Sequence, residues 1–204
     1  EIKECDWSSD VCSSDLYIGE ARELMVNVLA QTSNYKDALA LMESLTNPSA
    51  ATRKVFPKVL YGRAVELIND GMLVSADELL SRAEVHPQNQ EVLPLVLFWK
   101  GEIAYRLSHI DDAIRYLLDY LNAKTGSGDA QPTNARYDLG YCFLKKENYL
   151  QARSFFEQVA TSARLGSSPL EQDAWMRTAD CYFMARDFRR AKSMYQKALD
   201  FSWA

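Results

Sequence analysis

The chain has few residues of the kinds that build catalytic or metal sites. It contains two histidines and four cysteines in 204 residues, and it has no HExxH, CxxC, GxSxG or glycine-rich phosphate loop. His86 precedes a proline in an expected loop and His109 lies in an expected turn, neither with a ligand cluster at metal-binding spacing. The sequence therefore predicts no catalytic residue, no metal site and no cofactor.

Glycine, proline and long apolar runs are also scarce. Eight glycines and six prolines are too few for a collagen-like or linker chain, and 48% hydrophobic with 25% charged residues is a globular balance. The longest apolar run, residues 92–99, is interrupted by Pro94 and is far shorter than the roughly 20 residues of a membrane helix. The sequence predicts a buried core and no direct membrane insertion.

The first sixteen residues differ in kind from the rest. Residues 6–16 read DWSSDVCSSDL, which resembles a common short-read sequencing adapter translated in one frame. We therefore expect residues 1–16 to be a non-native tail, with a hydrophilic Ser/Asp-rich tail as the alternative. The tail holds five acidic residues and one lysine, so the chain's net charge of −5 becomes −1 without it. This balance predicts no nucleic-acid partner.

A repeat of 37 to 39 residues organises residues 17–204. Within each repeat, apolar residues follow helical spacing for about a dozen residues. A short polar turn interrupts this pattern, which then continues for about another dozen residues. Each unit is therefore predicted to be a helical hairpin. The repeat is marked by five alanines, which are Ala38, Ala76, Ala113, Ala152 and Ala191. Turns are expected at Ser33-Asn34, Asp70-Gly71, Ser108-His109, Glu147-Asn148 and Arg186-Asp187.

Small residues recur where the two helices of a hairpin should cross. Ala64, Gly101, Gly140 and Ala179 occupy this position on successive first helices. A large residue, such as Phe156, follows the repeat alanine of the second helix by four residues, on the same face. Small side chains opposite large ones allow helices to approach closely without a void. Cys142 and Cys181 also repeat in register, which favours buried small hydrophobes over a disulfide or redox pair.

These residues resemble the tetratricopeptide repeat (TPR) family, whose pattern runs Trp, Leu-Gly, Tyr, Ala, Phe/Tyr, Ala, Pro over about 34 residues. The unit with the clearest match has Trp175, Ala179, Tyr182, Ala191, Tyr195 and Ala198. The resemblance implies an all-α fold, a right-handed α-α superhelix or TPR solenoid of about five hairpins. The extra residues of each repeat fall in the Gly/Ser/Pro segments 125–132 and 166–169. Two domains joined by these segments are the alternative.

The resemblance also implies where a partner binds. In this family the first helices line an inner groove, which here would be aromatic and mildly acidic. Its predicted lining is Tyr61, Phe98, Glu102, Tyr105, Tyr137, Tyr141, Met176, Asp180 and Phe183. Family members that clamp a C-terminal carboxylate have Lys and Asn where this chain has Tyr137 and Tyr141, so no such clamp is predicted. Packing between repeats is the alternative role for these side chains.

The functional expectation is a non-catalytic scaffold that binds a peptide or partner protein in this groove, similar to bacterial repeat proteins of the cell envelope or periplasm. One alternative is a sensor or docking domain of a longer enzyme or signalling protein. A self-associating solenoid is the other. Phe201 and Trp203 stand at the close of the last predicted helix, with no polar capping helix after it, and adapter-like sequence stands at the other end. We therefore expect the chain to be a fragment, with further repeats or a partner beyond Ala204.

Overall fold

The structure, a computed structural model, describes the backbone of residues 7–123, 130–161 and 168–200, and side chains from residue 17 onward. Over these ranges it is all α-helical with no β-strand, as predicted. No helix in the described part is long and apolar enough to cross a membrane. The described ranges contain ten helices, which are α1 (Trp7–Gln31), α2 (Tyr35–Glu43), α3 (Ala50–Asn69), α4 (Leu73–Glu84), α5 (Leu93–Arg106), α6 (Ile110–Ala123), α7 (Pro132–Lys145), α8 (Tyr149–Ala160), α9 (Pro169–Met184) and α10 (Phe188–Asp200).

The helices form five hairpins, distributed over two compact units. The unit Glu1–Leu93 contains the α1–α2 and α3–α4 hairpins, and the unit Pro94–Ala204 contains α5–α6, α7–α8 and α9–α10. The boundary falls at Leu93, whereas residues 124–129 and 162–167, which hold most of the two Gly/Ser segments, lie outside the described residues. Phe201 to Ala204 and residues 1–6 lie outside them as well.

Each hairpin turn has the same backbone geometry. The last residue before the second helix cap has a positive φ in all five turns, at Ser33, Gly71, Ser108, Glu147 and Arg186. In the fourth turn, the Asn148 N–H donates to the Phe143 carbonyl over 2.9 Å and the Glu147 N–H donates to the Leu144 carbonyl over 2.9 Å. This pair of bonds satisfies the last carbonyls of the first helix and reverses the chain. All five predicted turns are confirmed.

The five repeat alanines occupy equivalent buried positions. Ala38, Ala76, Ala113 and Ala152 have no exposed surface and Ala191 has 2%. Each donates its N–H to the carbonyl four residues earlier at the start of its helix, as Ala152 does to Asn148 over 3.0 Å. The predicted register is therefore confirmed. The cysteines that repeat in register, Cys142 and Cys181, are buried and unbonded to each other, as predicted.

Glycines allow the closest helix approaches. A Cβ at Gly140 would lie 2.6 Å from Cε1 of Phe156, and a Cβ at Gly101 would lie 2.7 Å from Cγ of Leu117. Both distances are shorter than any normal carbon contact, so only a residue without a side chain fits against these large ones. Gly62 of α3 makes the same kind of approach to Tyr35 of α2, where a Cβ would lie 2.5 Å from the ring.

Replacing Gly140 by Ala is expected to destabilise the chain by about 1–3 kcal/mol, because the new methyl group overlaps the Phe156 ring. The measurement is the free energy of unfolding from urea titration followed by circular dichroism. Gly19→Ala is the matched control, since a Cβ there meets nothing within 4 Å. Gly19→Ala should raise the free energy of unfolding by about 0.5–1 kcal/mol, because alanine favours a helix more than glycine does. Equal effects of the two substitutions would contradict the packing described here.

Replacing Glu147 by Gly is expected to stabilise the chain by about 0.5–1 kcal/mol. Glu147 has a left-handed backbone conformation with φ 56, which glycine adopts without the steric cost of a side chain. Gly71→Ala, at φ 77 in the equivalent turn, should have the opposite effect. Thermal and urea unfolding of both variants measure the difference. A loss of stability in Glu147→Gly would show that its side chain does more than occupy the turn.

Candidate binding surface on the first helices

Two tyrosines of α7 form the centre of the candidate surface. Tyr137 and Tyr141 are one helical turn apart, and their rings meet edge to face with centroids 5.0 Å apart. Both rings also rest edge-on against Phe156 of α8, at 5.9 and 5.2 Å. Phe156 is the residue that fills the space above Gly140. The helix packing of the fourth hairpin therefore supports both tyrosine rings.

The hydroxyl groups of these tyrosines converge on α9. Tyr137 and Tyr141 donate to the same oxygen, Oδ2 of Asp173, over 2.7 and 2.9 Å. Asp173 also pairs with Arg177 over 3.2 Å, one turn further along α9. One carboxylate thus holds two side chains of α7 in fixed positions.

The network continues from α9 to α10. Arg177 donates to Oδ2 of Asp180 over 2.7 Å, and Tyr195 of α10 donates to Oδ1 of the same carboxylate over 2.6 Å. Asp173, Arg177 and Asp180 lie at i, i+4 and i+7, so they share one face of α9. Six polar side chains on three helices are therefore joined by hydrogen bonds.

The charge state of this network follows from its hydrogen bonds. Burial alone would raise the pKa of Asp173, but hydrogen bonds from Tyr137, Arg177 and Tyr141 together lower it below its ordinary value. Burial, followed by the hydrogen bonds to Tyr141 and Asp173, raises the pKa of Tyr137. Burial and the contact with Asp180 raise the pKa of Tyr195 to about 12. At neutral pH Asp173 is therefore charged. The hydroxyl groups of Tyr137 and Tyr195 keep their protons and can donate hydrogen bonds.

A second polar cluster joins α5 to α7. Glu102 pairs with Arg106 over 2.8 Å on α5, and it also shares a hydrogen bond with Asp138 of α7. Burial, and then the nearby charge of Glu102, raises the pKa of Asp138 to about 8. Burial and the Asp138 charge raise the pKa of Cys142 to about 12, which keeps this thiol unreactive.

The structure places the predicted groove residues in different environments. Glu102, Tyr105, Tyr137, Tyr141, Met176 and Asp180 are half-buried on α5, α7 and α9 of the second unit. Lys145 Nζ lies 4.0 Å from the centroid of the Tyr105 ring. Phe183 is 52% exposed and meets Phe188 edge to face at 5.3 Å. Tyr61 is half-buried on α3 and belongs to the first unit, whereas the other predicted groove residues belong to the second.

Phe98 has no surface to offer a ligand. It is 4% exposed and packs against Tyr120 of α6 at 5.4 Å and Trp99 at 5.4 Å. Tyr120 is itself fully buried and donates its hydroxyl to the Ala130 carbonyl over 2.5 Å. Phe98 therefore belongs to the core of the third hairpin and is excluded from the candidate surface.

The sequence interpretation did not include Asp138, Asp173, Arg177 or Tyr195 in the groove. The spacing D-x3-R-x2-D on α9 was a visible signal, because it puts three charged side chains on one helical face. Tyr195 was assigned to packing in the hairpin because it follows Ala191 by four residues. Its hydroxyl also reaches Asp180, a contact that depends on how α10 packs on α9.

Five hairpins with one turn geometry and one buried alanine register define a helical-repeat protein. The model of the tetratricopeptide repeat family matches residues 100–167 and 137–204, which together span just over half of the chain. The chain belongs to the tetratricopeptide repeat family. Proteins of this family are generally non-catalytic interaction scaffolds. A comparison with curated protein sequences finds no match.

Solved structures share the fold at low identity. YrrB, described as a TPR protein with an unusual peptide-binding site, is 18% identical with a TM-score of 0.65, over 89% of this chain and 84% of that one. MamA of AMB-1 is 19% identical with a TM-score of 0.60, over 88% and 96%. PilF of Pseudomonas aeruginosa is 16% identical with a TM-score of 0.58, over 91% and 77%. These likenesses show the fold.

Asp138 predicts a pH dependence of stability. Burial and the charge of Glu102 raise the pKa of Asp138 from 3.8 to about 8, so folding is expected to take up a proton between these pH values. The free energy of unfolding contributed by this group therefore falls as the pH rises from 3.8 to about 8. Asp138→Asn should be more stable than wild type at pH 8, with a difference that shrinks toward pH 4, in urea titrations across this range.

Asp119→Asn, on the exposed surface of α6, is the control for Asp138→Asn. A constant difference for Asp138→Asn would mean that Asp138 does not hold a proton in the folded chain.

Proposed function

We propose that this chain is a non-catalytic scaffold that binds a peptide or a segment of a partner protein on the surface formed by α5, α7 and α9. The observation that carries the proposal is the tyrosine pair of α7, held by Asp173 through two hydrogen bonds. Tyrosine rings that are already fixed lose little side-chain entropy when a ligand packs on them. Such a pair provides contact area and hydroxyl groups at low ordering cost.

The charges of the surface limit the ligand. The acidic residues Glu102, Asp173 and Asp180 are balanced by Arg106, Arg177 and Lys145, which lies on the Tyr105 ring. Both arginines are engaged with these carboxylates. Because the arginines are already neutralised, an acidic peptide gains little there. The surface favours a neutral peptide, which lies across the aromatic rings of Tyr105, Tyr137 and Tyr141.

The test begins with a random dodecamer peptide display library selected on the wild-type chain. Affinities of recovered peptides are then measured by fluorescence anisotropy. Tyr137→Ala combined with Tyr141→Ala should weaken binding at least tenfold, because it removes the two rings on which the peptide packs. A tenfold loss corresponds to about 1.4 kcal/mol of binding free energy. Circular dichroism checks that the helices persist.

Two further variants make the result decisive. Tyr105→Ala removes a ring that lies outside the packing around Phe156, and it should weaken the same peptides even if the double variant unfolds. Leu150→Ala, at a 65% exposed position of α8, is the matched control and should bind as wild type does. Unchanged affinity in folded Tyr137→Ala/Tyr141→Ala and in Tyr105→Ala would place the binding surface elsewhere.

A further inference from the structure

A cleft of about 300 Å³ lies in the first unit, between α3 and the loop that follows α4. The helix contributes Lys54, Pro57 and Lys58 to the lining, and the loop contributes residues 87–88 and 90–92. All of these residues belong to the unit Glu1–Leu93. The volume is at the lower end of the range of ligand-binding pockets. The cleft is therefore a candidate site that is distinct from the tyrosine surface of the second unit.

The loop is fixed against α3 by its own contacts. The His86 ring meets the Phe56 ring of α3 edge to face, with centroids 5.7 Å apart. Within the loop, the Asn89 N–H donates to the His86 carbonyl over 3.2 Å, and the Val92 N–H donates to the Asn89 carbonyl over 2.9 Å. The backbone on both sides of the cleft is thus preformed, so a ligand loses little free energy to ordering it.

Two lysines dominate the charge of the cleft. Lys54 and Lys58 are exposed, and because they are four residues apart they lie on one face of α3. Neither ammonium group forms an ion pair with any residue that the structure describes. Glu91 is the acidic residue of the lining, so two lysines and one glutamate give it a net charge of +1.

A carboxylate near the start of α3 is engaged on another face of the helix. Glu23 of α1 accepts hydrogen bonds from the Ser49 N–H over 2.7 Å and from the Thr52 hydroxyl over 2.9 Å. Thr52 and Lys54 are two residues apart, so their side chains do not face each other. Glu23 therefore stabilises the end of α3 and leaves the lysines available to an external anion.

The uncharged part of the lining suits a peptide. Pro57 and Val92 are buried and form an apolar floor, whereas Gln88 and Gln90 are exposed beside it. A glutamine amide both donates and accepts, so it matches the N–H and C=O groups of a peptide backbone. An apolar side chain that packs on the floor loses its contact with water.

We propose that this cleft binds a segment of a partner protein through an aspartate or glutamate side chain flanked by apolar residues. The carboxylate binds between the ammonium groups of Lys54 and Lys58, and its apolar neighbour packs on Pro57 and Val92. One negative charge matches the net charge of the lining, whereas Glu91 repels a doubly charged phosphate group. The two units then bind different ligands, an acidic segment here and a neutral one on the tyrosine surface.

Nuclear magnetic resonance of the full ¹⁵N-labelled chain tests the proposal. The probe is the acetylated and amidated peptide Ala-Leu-Glu-Leu-Ala, whose one charge is the glutamate carboxylate. The backbone amide signals of Lys54, Lys58 and residues 88–92 should shift and saturate. The same peptide with glutamine in place of glutamate should bind about fivefold more weakly, as expected for the loss of two exposed ion pairs. Equal affinity for the two peptides overturns the proposal.

Three charge variants locate the binding on the cleft. Lys54→Gln combined with Lys58→Gln should weaken binding of the glutamate peptide about fivefold. Glu91→Gln should strengthen it, because this substitution removes a repulsive charge. Lys36→Gln is the matched control, since it removes the same charge from an exposed position of α2 outside the cleft, and it should bind as wild type does. An equal loss in Lys36→Gln shows general charge attraction and overturns the proposal.

Two further probes identify the source of the anion. They are inorganic phosphate and the glutamine peptide with a free C-terminus. If either shifts the cleft signals at lower concentration than the glutamate peptide, the assignment to an acidic side chain is wrong. Absence of any shift at the cleft also overturns it. Tyr137→Ala combined with Tyr141→Ala should bind the glutamate peptide as wild type does, so failure here is distinguishable from failure of the tyrosine surface.

Discussion

The close approach of the two helices in each hairpin is the constraint on which this structure depends. At Gly140 the backbone of α7 lies so near Phe156 that no side-chain carbon fits between them. Phe156 in turn supports the rings of Tyr137 and Tyr141. The packing that forms the hairpin therefore also orients the side chains of the candidate surface, and fold and site share one contact.

Hydrogen bonds join neighbouring hairpins on the candidate surface, in addition to the apolar packing beneath it. Asp173 accepts from Tyr137 and Tyr141 across the boundary between the fourth and fifth hairpins, and Arg177 balances its charge. A buried polar network of this kind costs free energy unless all its members are satisfied, and here each member has a partner. The result is a surface with one charge state at neutral pH and with its tyrosines already ordered before any ligand arrives.

Much of the fold was readable from the spacing of small residues. The repeat marked by Ala113, Ala152 and Ala191 predicted hairpins, turns and a buried register, because helix periodicity and turn chemistry are local properties of the chain. The candidate site was predicted only in part. Tyr137 and Tyr141, assigned to the groove by their register, are half-buried on α7. Phe98, assigned by the same register, is buried and packs against Tyr120 of the next helix. The position of a residue along its own helix does not indicate which side chain of the next helix, here Tyr120, covers it.

The amino-acid order was enough to establish a helical repeat, its period and the family, since each repeat carries its own packing residues and its own turn. The assembled chain alone revealed which charges meet. Burial of the Asp138 carboxyl group, followed by the nearby charge of Glu102 on α5, raises the pKa of Asp138. Contacts between hairpins join residues far apart in the chain, and no local pattern encodes them.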